Sequence, residues 1–433
     1  MQDVIVIGSG ISGLSVAYRL NKVGVKVLVL EKEEQLGGNI QTILKDGFLC
    51  ELGPQTILAD REVEEFLKDA GISPEYASVV SKNRYVYKKG KLIPIPMSLL
   101  EFLTSPLLSI SGKLRLLKEP FVPKSVKTEE SIAEFVRRRL GEEFLNYLVA
   151  PFVSGVYAGD PKELSVKYAV RKVYELEQKY TSLIKGAIKL KALGPSGKLI
   201  SFKGGNKTLI EELSKNLAVQ SENVALRIRK KEGIYLVDAK EGKYEARAVV
   251  IASPAWSLGY LLRDISWSVA QEFDKVYYAP VVVVHAVVKE GTVPKGFGFL
   301  VPRVEKKRIL GAVFSSQLFP GRAPEGMELL TIYLGGSTDP QIVDYEDDLI
   351  AQIVQSEIKE ILGQVPQIIN ITKWKRGIPQ YTLGYGRFYE LADLIEKENP
   401  GLFLTGNYLR GVSVADCIRN SKEVAQKVLK YLS

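Results

Sequence analysis

Hydrophobic and polar residues form regular blocks over the first 31 positions of the chain. An apolar run at residues 4–7 is followed by a glycine-rich turn, then by an amphipathic stretch, and then by a second apolar run at 25–30. Short apolar runs are typical of buried strands, whereas the amphipathic stretch has the spacing of a helix. The pattern therefore predicts a strand, a turn, a helix and a second strand.

The turn carries three glycines whose spacing suits a bound pyrophosphate. Gly8 permits the tight turn, Gly10 has no side chain to block a phosphate from the backbone, and Gly13 lets the helix pack close to the strand. The N–H groups at the start of the helix, near Ile11 and Ser12, are free to bind an anion. A glycine triplet alone would also fit an ordinary turn, but with these flanking elements it predicts a dinucleotide site.

A carboxylate follows the second strand. Glu31 lies roughly 20 residues beyond Gly8, the separation expected for an acid that accepts hydrogen bonds from ribose hydroxyls. A carboxylate at this position repels a 2′-phosphate, which disfavours NADP and leaves FAD or NAD. A second glycine pair, Gly37 and Gly38, is followed by Asn39. This segment either brings the backbone to the cofactor again or forms a surface turn.

The remaining pattern divides the chain into helical and strand-rich parts. Residues 61–189 are mainly helical, with Thr128 as a predicted helix cap. Residues 281–335 alternate strands with glycine and proline turns, which suggests a second sheet. A strand at 401–407 precedes a final helix from about Ser413, whose N-terminus would also point at the cofactor. Further helices are predicted over 208–217 and 345–362, and further strands over 224–229, 233–239 and 243–252.

These elements predict an α/β plus α+β fold with a discontinuous Rossmann-like domain. We expect the dinucleotide-binding domain to comprise 1–80, 202–265 and 395–433. A helical insert, which could face a membrane, would comprise 92–201, and a mixed-sheet substrate domain would comprise 81–91 and 266–394. The length of 433 residues exceeds the size at which a single core is usual, in agreement with this division.

Composition excludes several chemistries. The two cysteines, Cys50 and Cys417, are far apart, so we expect neither a disulfide framework nor a dithiol redox centre. The single histidine, His285, lies among valines and is most simply a buried core residue, which leaves no histidine metal site. Because few side chains titrate near neutral pH, we expect a bound cofactor to carry the reaction.

Charge and hydropathy limit the partners and the location. The longest apolar stretch, 277–288, is too short to span a bilayer, and no basic leader precedes the first strand, so we expect a cytoplasmic protein. The formal net charge of +9 is spread along the chain, and its short basic blocks lack interleaved aromatic residues. We therefore expect solvated faces, an acidic substrate or an anionic membrane surface, and no nucleic acid.

Motifs along nearly the whole chain resemble one family. Beyond the N-terminal glycines they lie at 83–85, 138–141, 151–161, 296–302, 319–324, 378–381 and 411–414. The sequence is similar to the flavin amine-oxidase and protoporphyrinogen-oxidase superfamily, and specifically to its oxygen-dependent protoporphyrinogen oxidases. One departure is Gly384-Tyr385, because the family often has Gly-His at this position.

The resemblance implies FAD as the cofactor and a porphyrinogen as the substrate. Such proteins oxidise protoporphyrinogen IX to protoporphyrin IX in haem biosynthesis, with O2 as the usual reoxidant and H2O2 as the by-product. We expect a hydride to pass from a meso methylene to flavin N5, while an N–H proton leaves to solvent or with help from the Gly155 carbonyl. We expect that no side chain acts as the acid or base, and that the protein positions the reactants and excludes water.

The resemblance also implies the residues of the site. A flat apolar ring with carboxylates at its rim needs apolar walls and one directional cation, which suits Arg84, although this arginine could equally be a surface residue. The expected substrate residues are Arg84, Gly155, Leu300, Val313 and Tyr333. The expected cofactor residues are Gly8, Gly10, Ile11, Ser12, Gly13, Glu31, Lys32, Gly37, Gly38, Asn39, Ile228 (through its backbone to adenine), Trp374, Val412, Ser413 and Val414.

Several alternatives stay open. The nearest is oxidation of coproporphyrinogen III to coproporphyrin; others are a different amine or carotenoid oxidoreductase and a non-catalytic FAD-containing assembly protein. Residues 92–118 place prolines among leucines, with basic residues behind them, and either contact a membrane peripherally or cover the substrate pocket. Formation of a homodimer and the physiological electron acceptor also stay open.

Overall fold

The computed structural model describes residues 1–190 and 197–433 of the chain. Its strands form two large mixed sheets, a three-stranded sheet and a hairpin. The strands are β1 Gln2–Ile7, β2 Val27–Leu30, β3 Thr42–Lys45, β4 Phe48–Glu51, β5 Ile57–Ala59, β6 Glu75–Tyr76, β7 Arg84–Lys88, β8 Lys91–Pro94, β9 Lys198–Ser201, β10 Ala218–Gln220, β11 Ala225–Lys231, β12 Ile234–Ala239, β13 Gly242–Ile251, β14 Tyr278–Lys289, β15 Gly298–Leu300, β16 Ile309–Phe314, β17 Met327–Gly335, β18 Gln367–Pro379 and β19 Leu402–Leu404.

The helices connect and cover these sheets. They are α1 Ile11–Lys22, α2 Arg61–Asp69, α3 Leu99–Thr104, α4 Ile110–Leu116, α5 Ile132–Arg139, α6 Glu142–Phe144, α7 Ala150–Tyr157, α8 Val166–Ala169, α9 Arg171–Tyr180, α10 Leu183–Leu190, α11 Lys207–Ser214, α12 Leu258–Leu261, α13 Trp267–Ala270, α14 Ser315–Leu318, α15 Asp347–Leu362, α16 Gly386–Glu398 and α17 Val414–Leu432. Within the described residues, no helix combines the length and the apolar character that crossing a membrane requires.

The first sheet has the strand order β10-β2-β1-β13-β12-β11, with β19 beside β13. Strands β1, β2, β10, β13 and β19 run parallel, and β1 is apolar because helices cover both of its faces. On one face Val4 and Val6 pack with α1 and α17, and on the other Ile5 and Ile7 pack with α12 and α16. Every strand of this sheet comes from the three stretches expected to form the dinucleotide-binding domain.

The second sheet has the order β18-β14-β17-β16-β15-β7-β8. Helix α15 covers one of its faces, where Val282 and Val284 of β14 pack with Ile350, Val354 and Ile358. Hairpin β3–β4 covers one end of the opposite face, through Phe48 and Cys50. On the rest of that opposite face, Val281 and Val283 of β14 pack with Leu310 and with Ala158, which follows α7. Strand β8 belongs to this sheet, although the helical insert was expected to begin at residue 92.

The region between β8 and β9 is helical where the structure describes it, but its helix α5 begins later than predicted. Ser131, not Thr128, caps this helix: its hydroxyl accepts a hydrogen bond from the Glu134 N–H, and the Glu134 carboxylate accepts one from the Ser131 N–H. This reciprocal pair satisfies two N–H groups that the helix leaves free, which a lone threonine cannot do. The prediction of Thr128 as the cap was therefore wrong.

Buried ion pairs hold this helical region together. Arg139 is completely buried and pairs with Glu119 at 3.0 Å and with Glu177 at 2.5 Å, while Arg138 binds Glu130 through two nitrogens. Ser182 donates a further hydrogen bond to Glu119. Because buried charges are tolerated only when they are paired, these contacts fix the packing of α5 against α9 and the start of α10.

Candidate active site

The glycine turn after β1 is as tight as the sequence predicts. A Cβ on Gly13 would lie 2.0 Å from the Gly8 carbonyl oxygen, so only glycine lets α1 begin this close to β1. Gly8 has a φ of +106°, which favours glycine. A Cβ on Gly10, in contrast, would meet no protein atom within 4 Å. The absence of a side chain on Gly10 therefore leaves open space beside the N-terminus of α1, where Ile11 and Ser12 begin the helix.

The carboxylate of Glu31 is buried and held in place by three donors. The N–H and the hydroxyl of Ser9 donate to Oε2 at 2.8 and 2.6 Å, and the N–H of Glu33 donates to Oε1 at 3.0 Å. Lys32 is exposed and forms an ion pair with Glu33. Ser9 is a site residue that the sequence analysis missed, although it stands within the glycine motif and could have been found by asking what orients Glu31.

The second glycine pair lies against the first. The N–H of Gly37 donates to the Ser9 carbonyl at 3.1 Å, and Gly38 is close to the backbone of Gly10. From the same loop, the Asn39 side chain donates to the carbonyl of Gly377 in β18 at 3.2 Å. The loop thus joins the glycine turn of the first sheet to a strand of the second.

The N-terminus of α17 lies beside that of α1. Ser413 caps α17, because its hydroxyl accepts a hydrogen bond from the Asp416 N–H at 3.0 Å. Burial raises the pKa of the Cys417 thiol to about 11, and a hydrogen bond with the Ser12 side chain opposes the shift. Val412, before Ser413, packs against the core between the first sheet and α16, and Val414, after it, packs among α1, α2 and α11. Two helix N-termini therefore meet near the glycine turn, where both favour an anionic group.

Ile228 lies apart from these residues. Its side chain is completely buried in the middle of β11. The backbone next to Glu31 belongs instead to Asn223, whose N–H donates to the Glu31 carbonyl at 2.8 Å. Ile228 is five residues further along, so its contact with adenine stays a prediction, and the start of β11 is nearer to Glu31.

The face of the second sheet opposite α15 carries most of the expected substrate residues. Tyr333 and Trp374 pack there with Ala158, Val281 and Leu310, and their side chains are only half-buried. The indole Nε1 of Trp374 donates to the Leu52 carbonyl at 2.7 Å, just beyond β4. A partly exposed apolar surface thus lies next to the stretch of β18 that the Asn39 loop contacts.

Strand register places the other expected residues on the same face. Leu300 pairs with Gly311, and Gly311 pairs with Tyr333. Two residues along the strands, the next row runs from Arg84 through Gly298 and Val313 to Thr331. Because side chains two residues apart point to the same face, Arg84, Leu300, Val313 and Tyr333 share it.

Helix α7 packs against part of this face. A Cβ on Gly155 would lie 2.6 Å from Cδ2 of Leu300, so the helix backbone and the Leu300 side chain are in contact. The structure therefore brings Gly155 to the row of Leu300 and Tyr333. Whether its carbonyl meets a pyrrole N–H stays a prediction.

Arg84 is the charged residue at the edge of the apolar face. Arg84 is solvent-exposed, its guanidinium lies 4.9 Å from the centre of the Phe297 ring, and partial desolvation by nearby protein atoms lowers its pKa. No carboxylate of the described residues forms an ion pair with it. A guanidinium without an internal partner is available for an acidic ligand.

A polar network that the sequence analysis did not predict lies on the same side of the second sheet, where the row from Arg84 ends at Thr331. Gln55 accepts hydrogen bonds from Ser315 and Thr331 and donates to the Glu51 carbonyl at 2.9 Å. His285 also bonds the Glu51 carbonyl, at 3.0 Å. Burial raises the pKa of the Glu51 carboxyl to about 7, whereas hydrogen bonds from Thr42 and Asn206 and the charge of Arg322 oppose that shift. The network fixes the turn that carries Leu52 against the second sheet.

These residues fit FAD. The open space at Gly10 suits a pyrophosphate, the fixed carboxylate of Glu31 suits a ribose, and the half-buried indole of Trp374 lies where the glycine loops meet an apolar surface. The donors are backbone N–H groups and one carboxylate, the chemistry that a dinucleotide requires.

Comparison with known proteins also supports a flavin-binding protein. A family model described as flavin-containing amine oxidoreductase matches residues 11–429. The chain is 32% identical to the chloroplastic protoporphyrinogen oxidase of Nicotiana tabacum, over 100% of this chain and 86% of that protein. It is 29% identical to the coproporphyrinogen III oxidase of Bacillus subtilis, over 100% of this chain and 98% of that protein.

Solved structures agree on the fold. A crystal structure from an Exiguobacterium species has a TM-score of 0.85 at 24% identity and covers 99% of both chains. Cyclohexylamine oxidase from Brevibacterium oxydans has a TM-score of 0.71 at 17% identity, again over 99% of both chains.

Proposed function

The chain belongs to the flavin-containing amine oxidoreductases and is an FAD-dependent oxidoreductase, and we propose that it oxidises protoporphyrinogen IX to protoporphyrin IX. One observation carries the choice of substrate: a half-buried apolar face with Leu300, Val313 and Tyr333 has at its edge the guanidinium of Arg84, which forms no ion pair with any described residue. A porphyrinogen has the matching chemistry, because it is a broad apolar ring with carboxylates at its rim.

In this proposal the protein binds FAD and the porphyrinogen and orients them relative to each other. Glu31, fixed by Ser9 and Glu33, accepts hydrogen bonds from the ribose, and the N-termini of α1 and α17 hold the anionic part of the cofactor. When bound, FAD would accept a hydride, that is two electrons and one proton, in each of three successive two-electron oxidations and would be reoxidised by O2 after each. Arg84 pairs with a propionate, and this pairing fixes the rotation of the ring over Leu300 and Tyr333.

The apolar face also excludes water. Burial raises the pKa of the Tyr333 hydroxyl well above its usual value, so this group stays neutral at physiological pH and is no base. We propose that the proton from a pyrrole N–H leaves to solvent or by way of the Gly155 carbonyl in α7, since a carbonyl accepts a hydrogen bond without titrating.

The test uses the purified protein with its flavin. Protoporphyrinogen IX and coproporphyrinogen III are added separately under anaerobic conditions, and the bleaching of the flavin absorbance is followed; porphyrin fluorescence and H2O2 are then measured in air. We expect rapid bleaching and turnover with protoporphyrinogen. A flavoprotein that neither porphyrinogen reduces would contradict the proposal.

Coproporphyrinogen III is the second candidate substrate. The relatives named coproporphyrinogen III oxidase in Bacillus subtilis and Staphylococcus aureus are 29% and 28% identical to this chain over nearly their whole lengths. That substrate has four propionates instead of two. A kcat/KM at least tenfold higher for coproporphyrinogen than for protoporphyrinogen in the assay above would decide for this alternative.

We also propose that the segment 92–118 rests on a membrane surface. Helices α3 and α4 expose a row of leucines and isoleucines instead of burying it: Leu100 is 73% exposed and Ile110 is 78% exposed. The nearby Lys113 and Arg115 donate to backbone carbonyls of the insert, so attraction to anionic headgroups would rest on residues such as Lys118. An exposed apolar surface next to the substrate face suits a substrate that dissolves in lipid.

Liposome flotation tests this contact. The unchanged protein should float with anionic vesicles, and a Leu99→Ser/Leu103→Ser variant should lose most of its binding. Leu44→Ser is the matched control, because Leu44 is 75% exposed but lies on hairpin β3–β4. Equal flotation of both variants would contradict the proposal. Homodimer formation also stays a proposal, for which analytical ultracentrifugation gives the mass directly.

A further inference from the structure

Three tyrosines spaced four residues apart bind the backbone of one loop. The loop comprises residues 407–411 and connects the strand β19 to the N-terminus of α17. The tyrosines, Tyr381, Tyr385 and Tyr389, lie before and within the first turn of α16. One of them, Tyr385, stands where the similar family often has histidine.

Each hydroxyl bonds a different part of the loop. The hydroxyl of Tyr381 donates to the Asn407 carbonyl at 2.9 Å and accepts from the Gly411 N–H at 2.8 Å, so it joins the two ends of the loop. Tyr385 donates to the Tyr408 carbonyl at 2.9 Å. Tyr389 accepts from the Arg410 N–H at 3.3 Å.

The three rings form a rigid group. The centres of the Tyr381 and Tyr385 rings are 4.4 Å apart, and the ring of Tyr389 meets each of them nearly at right angles. Tyr381 and Tyr385 are buried, and Tyr389 packs also on Tyr168. Burial raises the pKa of all three hydroxyls, which therefore remain neutral and keep their protons for hydrogen bonding.

The loop needs such support because of its own conformation. Arg410 has a φ of +63°, a region that non-glycine residues rarely adopt, and Gly411 has a φ of +132°. A Cβ on Gly411 would lie 2.5 Å from the Asp416 side chain. The chain therefore turns sharply just before Ser413, and the direction in which α17 points depends on this turn.

We propose that Tyr381, Tyr385 and Tyr389 are positioning residues that hold the 407–411 loop, and through it the N-terminus of α17, at the flavin. The inference rests on the proposed cofactor site at that N-terminus. It assigns a role to the tyrosine that departs from the family pattern, and it makes the environment of the bound flavin depend on hydroxyl groups that do not touch it.

The experiment compares Tyr381→Phe, Tyr385→Phe and Tyr389→Phe in the full chain. Tyr408→Phe is the matched control, since the Tyr408 hydroxyl is buried in the same loop but has no hydrogen-bond partner among the described residues. Apoprotein of each variant is titrated with FAD, and the visible spectrum, the reduction potential of the bound flavin and the thermal unfolding of the apoprotein are measured.

We expect the Kd for FAD to rise about tenfold in Tyr381→Phe, which corresponds to about 1.4 kcal/mol, with smaller rises in Tyr385→Phe and Tyr389→Phe. The flavin spectrum and potential should shift in the same order, and Tyr408→Phe should change the Kd less than twofold. A Tyr381→Phe variant with the Kd, spectrum and potential of the unchanged protein would overturn the proposal, whatever its unfolding temperature. None of these measurements uses a porphyrinogen, so failure of the proposed substrate would leave their outcome untouched.

Discussion

The indole Nε1 of Trp374 donates a 2.7 Å hydrogen bond to the backbone carbonyl of Leu52. Trp374 belongs to the second sheet, and Leu52 follows a strand of the hairpin that packs on it. Asn39 makes a second link, to Gly377 three residues beyond Trp374. The glycine loops and the apolar face are thus connected through one short stretch of β18, next to the proposed flavin site.

Replacing this indole should change the flavin more than the fold. Trp374→Phe keeps an aromatic ring but leaves the Leu52 carbonyl without its donor, and we expect the free energy of unfolding to fall by about 1 kcal/mol. The absorbance spectrum of the bound flavin should shift. Trp267→Phe is the control, because Trp267 is half-exposed in α13, away from β18. An unaltered flavin spectrum in Trp374→Phe would argue against a place for this residue beside the cofactor.

Substitution by alanine should affect different properties at two glycines of the first turn: the stability of the apoprotein at Gly13 and the binding of FAD at Gly10. A methyl group on Gly13 collides with the Gly8 carbonyl, so Gly13→Ala should destabilise the apoprotein by several kcal/mol. A methyl group on Gly10 meets open space, so Gly10→Ala should leave the unfolding of the apoprotein unchanged but weaken FAD binding at least tenfold. The measurements are urea unfolding of the apoproteins and titration with FAD. Tight FAD binding by Gly10→Ala would contradict the predicted position of the pyrophosphate.

The sequence allowed the cofactor half to be predicted better than the substrate half, for a physical reason. The glycine turn and Glu31 are local features: their spacing along the chain determines their geometry, and the structure brings them together as expected. The row from Arg84 through Gly298 to Val313 depends on the pairing of strands that are far apart in the sequence, which periodicity cannot supply. Those residues could be named only through the resemblance to a family.

Other differences arose where two local signals competed. Ser131 and Glu134 have the spacing of a reciprocal cap, and their paired hydrogen bonds prevail over Thr128 three residues earlier. The tyrosines at 381, 385 and 389 have helical spacing, but their common target, the loop at 407–411, is visible only after folding. Long-range hydrogen bonds of this kind leave no pattern in a single sequence.

Arg84 should contribute to substrate binding through both its charge and its geometry. Arg84→Ala removes the proposed partner of a propionate, and we expect kcat/KM for protoporphyrinogen to fall about 10- to 100-fold, mainly through KM. Arg84→Lys keeps the charge but loses the bidentate geometry and should fall in between. Steady-state kinetics with Lys82→Ala as the control check this, because Lys82 is an exposed cation two residues away. Equal loss in Arg84→Ala and Lys82→Ala would indicate a general effect of charge.

The single histidine should make the stability of the protein depend on pH. The ring nitrogen Nε2 of His285 lies 3.0 Å from the Glu51 carbonyl and must donate to it, while Nδ1 is buried without a partner among the described residues. Burial lowers the pKa of His285 to about 4 from its ordinary value of 6.5. Below pH 6.5 the unfolded chain therefore binds a proton at this residue that the folded chain does not, and stability falls as the pH decreases toward 4. We expect His285 to account for a loss of roughly 2 kcal/mol between pH 7 and pH 5.

Urea unfolding at both pH values measures this loss, with His285→Gln as the comparison. The variant should be less stable at pH 7 but should lack this part of the decrease. Because the chain contains one histidine, an equal decrease in both proteins would show that the imidazole takes up a proton as readily in the folded as in the unfolded state.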